Sequence, residues 1–170
     1  MKLRKLMPKD AERMLEWMKD PSINRFFRFD AEKMTIDSVL EFIQSAQDTK
    51  YNMHLAIVDD NDNYVGTVSL KNIDYEALNA EYAISTCASV HGTGVAFEAT
   101  REILRIAFEE LKLHRVYLNV LEDNQRANRF YQKFGFTYEG QFREHLMLRS
   151  GELKNLNWYS MLKSEYEKLK

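Results

Sequence analysis

Cysteine, proline and glycine are scarce in this chain, with one, two and six copies respectively in 170 residues. A lone thiol, Cys87, excludes a disulfide framework and a multi-cysteine zinc centre, and it fits a reducing compartment. So little proline and glycine excludes a collagen-like or low-complexity chain. There is no basic surplus either. The net charge is −2, whereas proteins held by nucleic-acid phosphates carry an excess of Lys and Arg, so no nucleic-acid partner is expected. No apolar run approaches the ~18 residues of a membrane span. The first ten residues are charged where a signal peptide would be apolar. A cytoplasmic protein with no membrane partner is the expectation. His54, His114 and His145 are scattered, with no His-x3-His or His/Cys cluster, so no metal is expected.

What is present is a 45% apolar fraction with 12% aromatic residues. A chain of this length buries roughly 70% of the surface its unfolded form exposes, enough for one core without staples. No linker or repeat divides it, so residues 1–170 read as a single domain. A strand is expected over 3–7, stopped by Pro8, then a helix with Ala11, Met14, Leu15 and Met18 on its core face. An aromatic link over 23–29 leads to a second helix near 31–47. From Met53 the apolar period drops to two. Strands are expected at 53–58, 64–72 and 80–85, with turns at 59–63 and 74–78. A long helix follows over about 95–111, then a strand at 116–121. The helix over 125–134 has Asp123 as its cap and Gly135 at its left-handed end. Strands near 136–148 and 155–162 close the order, and 163–170 reads as a solvated terminal segment. This order implies an α/β fold with a mixed sheet and helices on both faces.

Between the strand at 80–85 and the long helix lies His91-Gly92-Thr93-Gly94-Val95-Ala96. Small residues let the backbone close on a ligand there. The first N–H groups of the helix point outward, carrying the partial positive charge of its N-terminus. A pyrophosphate is the natural guest. The third glycine of the dinucleotide fingerprint is missing, and no Lys-Ser or Lys-Thr of a P-loop follows. Taken alone, the motif fits equally a tight turn that binds nothing. The next helix carries a second pattern, Asn124, Ala127 and Tyr131, closed by Gly135-Phe136. With both motifs in this order, the chain resembles the GNAT superfamily of acetyl-CoA-dependent N-acetyltransferases. That family's signature is Gln/Arg-x-x-Gly-x-Gly/Ala after its fourth strand. Gly94 and Ala96 match it, and His91 stands where the family has Gln or Arg. The resemblance covers nearly the whole chain. It implies a GNAT fold: a mixed, mostly antiparallel sheet of about seven strands, splayed between strands 4 and 5, with helices on both faces.

The resemblance also implies acetyl-CoA as co-substrate and no metal. His91, Gly92, Thr93, Gly94, Val95 and Ala96 would hold the pyrophosphate, mostly by main-chain N–H groups. Ile84, Ser85 and Thr86 would hold the pantetheine arm in the splay. Asn124 would reach that arm or fix its helix, and Tyr131 would lie near the thioester sulfur. Glu81 occupies a strand position that is often acidic in relatives. The chemistry gives these residues work. An alkylamine of pKa ~10.4 is neutral in only about one molecule per thousand at pH 7, so reaching the nucleophile costs roughly 4–5 kcal/mol. A carboxylate can take that proton, directly or through a water; Glu81 is the candidate, against the plainer reading of a surface strand carboxylate. The departing thiolate needs a proton that a phenol can supply; Tyr131 is the candidate, against a packed core aromatic. A backbone N–H on the fourth strand can stabilise the oxyanion. Cys87 lacks an activating motif and reads as a small packed residue.

For the acceptor, Phe26, Phe27 and Arg28 offer aromatic faces and a guanidinium suited to a planar base or a phosphate. A hydrophobic plug under the sheet is the plainer alternative. Residues 17–24 resemble acetyltransferases acting on nucleotide-linked amino sugars. Residues 139–145, with Gly151-Glu152 and Trp158-Tyr159, resemble those enzymes, spermidine acetyltransferases and enzymes acetylating ribosomal-protein N-termini. No dense acidic run, which a polycation would favour, is present at the acceptor side. The expectation is therefore direct attack by a small-molecule amine in a ternary complex, the amine being a nucleotide-linked amino sugar. Polyamine or ribosomal-protein N-terminal acetylation stands beside it, and a non-catalytic acetyl-CoA sensor or scaffold is the reading from a different class. Homodimers are common in the family, though no segment here compels one.

Overall fold

The alternating stretches form seven strands: β1 (Lys2–Lys5), β2 (Met53–Val58), β3 (Tyr64–Asp74), β4 (Asn79–Thr86), β5 (Arg115–Leu121), β6 (Thr137–Met147) and β7 (Leu153–Leu162). A computed structural model, which describes residues 1–24, 29–148 and 150–169, joins them in one sheet of order β1-β2-β3-β4-β5-β7-β6. Every neighbouring pair is antiparallel except β4 with β5. That parallel pairing is short. It joins Asn79 to Arg115, Ala80 to Val116 and Glu81 to Tyr117, and there it stops. Beyond Glu81, β4 runs on to Thr86 paired with β3 alone, while β5 runs on to Leu121 paired with β7 alone. The sheet is mixed, mostly antiparallel and open at its centre, as expected.

Side chains on a strand alternate between faces, and two apolar clusters use that alternation. On one face, Val68, Leu70, Tyr82, Val116 and Leu118 meet α4 (Val95–Arg105) and α5 (Gln125–Phe134) through Ile103, Leu104, Tyr131 and Phe134. On the other, Ala56, Val58 and Tyr64 meet Met14, Trp17 and Met18 of α1 (Ala11–Met18), and Val39 and Ile43 of α3 (Ile36–Ser45). The Met-rich helix is core packing, and Cys87 is buried in the same cluster. A short α2 (Pro21–Asn24) follows α1. Among the described residues, no helix is long and apolar enough to cross a membrane.

Local chemistry moves several boundaries. Leu6 and Met7 leave the sheet because β1 stops pairing at Lys5, opposite Leu55, and Pro8 opens a single 3-10 turn before α1. The helix expected over 31–47 is shorter. Thr35 and Ser38 form a reciprocal capping box that starts α3 at Ile36, and Ala31–Lys33 make a separate turn. The long helix keeps α geometry to Arg105, then widens into a π segment, Ile106–Glu110. Asn124, not Asp123, caps α5; the Asp123 carboxylate instead meets Lys154 at 2.8 Å. The chain end is not simply solvated. It forms α6 (Lys163–Lys168), whose Tyr166 is buried, stacks on Phe108 and donates to Glu109 at 2.7 Å.

Candidate active site

The Gly-rich turn runs from a 3-10 turn at Ala88–Val90 into α4. Gly92 and Gly94 sit at φ +79° and +88°, the left-handed region that side chains other than glycine rarely adopt. No heavy atom lies within 4 Å of where a Cβ would stand on either residue. The backbone shape therefore demands glycine, and the turn's surface is open. The first bond of α4 runs from the Glu98 N–H to Gly94 O at 3.0 Å. Among the described residues, the N–H groups of Gly92, Gly94, Val95, Ala96 and Phe97 have no protein acceptor. Five donors at one helix end fit a diphosphate.

Arg126, from the first turn of α5, lies over this turn. Two of its guanidinium nitrogens are 2.5 and 3.0 Å from the two ring nitrogens of His91, and His91 Nε2 is 3.4 Å from Thr86 O. Burial, and then the Arg126 charge, hold the His91 pKa below its ordinary value. So at the position where the signature has Gln or Arg, a histidine with a lowered pKa stands beside a guanidinium supplied from α5. Sequence reasoning missed Arg126. Its only trace is that it directly precedes the matched Ala127, and 35 residues separate it from His91.

The turn is tied to the splay. The Tyr82 hydroxyl of β4 is 2.7 Å from Thr100 Oγ1, which donates to Ala96 O at 2.6 Å. Tyr131 completes this face. Its ring is buried edge-on against Tyr82 at 6.1 Å and Phe136 at 5.8 Å, with Tyr159 at 6.0 Å. Burial pushes its phenol pKa well above the ordinary value. Among the described residues the sealed, unpartnered polar side-chain atom is Trp158 Nε1. Tyr131 as a whole is 7% exposed. The Asn124 side chain accepts from the Ala127 N–H at 3.2 Å and caps α5. Asn128, unremarked in the sequence, is the knot beneath. It donates to Leu121 O and Asn124 O, and accepts from Tyr159 and Asn157.

Ile84, Ser85 and Thr86 lie past the last β4–β5 pair, partly buried. By alternation Ile84 shares the face of Tyr82, while Ala83 and Ser85 share that of Glu81. Glu81 itself is engaged at both oxygens. Lys71 Nζ lies 2.7 Å from Oε1, and Asn72 Nδ2 donates to Oε2 at 3.1 Å. On this second face a cleft of about 120 Å³ opens between α1, α3 and β2–β4. Met14, Trp17, Met18, Phe29 and Phe42 line one side, and His54, Thr67, Ser69, Ala83, Ile84 and Ser85 the other. Among the described residues, no carboxylate lines it. His54 Nδ1 is 2.8 Å from Ser69 Oγ. Burial, and then Lys71, lower the His54 pKa. The sequence marked His54 only as one of several scattered histidines without metal-ligand spacing. Phe26, Phe27 and Arg28 lie outside the described residues.

Comparison with known proteins is consistent with this geometry. Residues 1–137 match the profile of a family described as the acetyltransferase (GNAT) domain. The chain is 29% identical over 171 residues to "Putative ribosomal N-acetyltransferase YdaF" of Bacillus subtilis, covering 97% of this chain and 92% of that one. It is 29% identical over 124 residues to a spermidine N(1)-acetyltransferase of Vibrio cholerae, covering 68% and 71%. Its fold superposes on the crystal structure of the Vibrio cholerae spermidine N-acetyltransferase in complex with CoA and spermine, with a TM-score of 0.88, 24% identity and coverage of 98% and 97%.

Proposed function

The chain belongs to the GNAT acetyltransferase family, and from that premise we propose that it transfers acetyl from acetyl-CoA to the N-terminal α-amine of a peptide or protein by direct attack. The observation that carries the transfer is the opening between β4 and β5, with the donor-rich turn on one face and the apolar cleft on the other. Of the turn expected to hold the pyrophosphate, Gly92, Gly94, Val95 and Ala96, joined by Phe97, offer their main-chain N–H groups, while those of His91 and Thr93 are spent on Ala88 O and Val90 O within the turn; Arg126 adds charge. The β4 edge from Ala83 to Thr86, which has lost its β5 partner, holds the pantetheine arm and offers an N–H to the oxyanion. Tyr131 donates a proton to the departing sulfur. Burial keeps the phenol in its protonated form at neutral pH.

The acceptor is inferred from the cleft. A polyamine brings several positive charges, and burying them without carboxylate partners is costly. The described lining supplies none. A peptide α-amine has a pKa near 8, about 2.5 units below an alkylamine, so its neutral form costs roughly 3 kcal/mol less to reach. The relative named a ribosomal N-acetyltransferase supports this reading, and the one named for spermidine favours a polyamine as the second. Both stand nearer than the nucleotide-linked amino sugar expected from the sequence, which the named relatives do not back. The test is thiol release from acetyl-CoA with trialanine, spermidine and a nucleotide-linked amino sugar. The expected kcat/KM for trialanine exceeds that for spermidine by about tenfold or more. Spermidine ahead overturns the acceptor, and tight acetyl-CoA binding with no amine consumed overturns transfer in favour of a sensor.

A further inference from the structure

We propose that His54 is the general base that takes the proton from the acceptor amine, with Ser69 orienting its ring; this rests on the acetyl-transfer reading above. Three observations meet in this residue. First, His54 pairs with Ser69, and Ser69 with Ala83, in one row across β2, β3 and β4. Paired residues share a face, so the imidazole stands on the cleft side, level with the stretch of β4 that has lost β5. Two strand spacings, about 10 Å, separate the His54 and Ala83 backbones, a gap that an imidazole and one water can span. Second, the ring is held. Nδ1 is 2.8 Å from Ser69 Oγ, and the Phe42 ring stands edge-on at 5.0 Å. When Nδ1–H donates to Ser69, Nε2 keeps its lone pair and has no protein partner among the described residues. Third, the rival carboxylate is committed. Glu81 holds Lys71 and Asn72 with its two oxygens, and its release would leave Lys71 unpaired.

The surroundings suit a base at neutral pH. Lys71 on β3 is the charged group that acts on the ring, and β4 adds Ala83, Ile84 and Ser85. From α1 and α3 come only methionine, tryptophan and phenylalanine side chains. Among the described residues no carboxylate faces the ring, so it stays neutral and can accept. The proton count closes. Nε2 takes one proton from the bound ammonium. The freed lone pair forms the nitrogen–carbon bond, the carbon–sulfur bond breaks, and its electron pair leaves on sulfur. Tyr131 protonates that sulfur and is restored by the second proton shed by the nitrogen. The imidazolium releases its own proton to solvent, so one proton is released per turnover.

The experiment has two arms. In the first, kcat is followed against pH with trialanine at saturating acetyl-CoA, which removes any contribution of His91 to cofactor affinity. His54→Gln, which can still bond Ser69 but cannot accept a proton, is expected to lose the acid limb of the profile and 10²–10⁴-fold in kcat, with acetyl-CoA affinity unchanged. Glu81→Gln is expected to keep the limb. In the second arm, ¹⁵N NMR of the wild-type imidazoles is expected to show His54 as the Nδ1–H tautomer, titrating below the ordinary histidine value and together with the kinetic limb. A limb that survives in His54→Gln, a limb lost only in Glu81→Gln, or an Nε2–H tautomer overturns the proposal while leaving acetyl transfer standing. A wild-type chain that consumes no amine defeats the transfer reading and the base with it.

Discussion

At the scale of single residues, the proposed acid and the proposed base stand on opposite faces of the sheet. Tyr131 is walled by aromatic rings on the face of α4 and α5. Tyr131→Phe keeps the ring and removes the proton. The expected result is a fall in kcat of about 10²-fold or more, with the acetyl-CoA dissociation constant changed by less than about twofold, read by stopped-flow thiol release and calorimetry. An unchanged kcat removes the acid role. Tyr131 was legible in the sequence because it belongs to a pattern with Asn124, Ala127 and Gly135. Arg126 and His54 were not. Each becomes meaningful only when strands or helices distant in the chain are brought side by side: Arg126 over His91, and His54 beside Ser69 and Ala83. Glu81 was legible by position, but its partners were not. Lys71 and Asn72 reach it across the β3–β4 pairing, which a single strand's pattern does not reveal.

At the scale of elements, the turn before α4 is set by backbone shape. Gly94 at φ +88° is the residue that starts α4, and space around it is open. In Gly94→Val the strain is conformational, about 1–2 kcal/mol for leaving the left-handed region or holding it, and the new side chain stands over the exposed N–H groups. The expected outcome is a folded protein, by circular dichroism, whose acetyl-CoA affinity falls tenfold or more by calorimetry. Unaltered affinity refutes the turn as the pyrophosphate site. Most elements were readable from periodicity, and their ends were not. The Thr35–Ser38 capping box overrode a longer apolar stripe. Asp123 and Asn124 are chemically equal as caps, and the pull of Lys154 on Asp123 decided between them. The charged sequence of α6 hid Tyr166, whose burial against Phe108 is tertiary.

At the scale of the whole molecule, pH acts through groups that folding holds in one charge state. Asp62 receives Lys9 and, at 2.8 Å, Arg4, which also grips buried Asp10. Lys9 first, and then Arg4, draw the Asp62 pKa well below its ordinary value. Its contribution is therefore complete above about pH 4 and is lost as the pH falls through the lowered value. His54 and His91 are held neutral. Their contribution is complete above about pH 6.5 and is lost below it. Thermal midpoints should thus climb from acid to about pH 6.5 and then level off. In His54→Gln the slope just below pH 6.5 should shrink, with His91 supplying the remainder, while the steeper acid fall stays. An identical curve in the variant would contradict a buried neutral His54. The gap past Glu81 and Tyr117 reaches further than the chemistry. Because the pairing ends there, the proposed transfer would give each guest its own doorway on a separate side of the sheet, the bulky nucleotide staying moored while acceptors of very different length arrive and depart behind it.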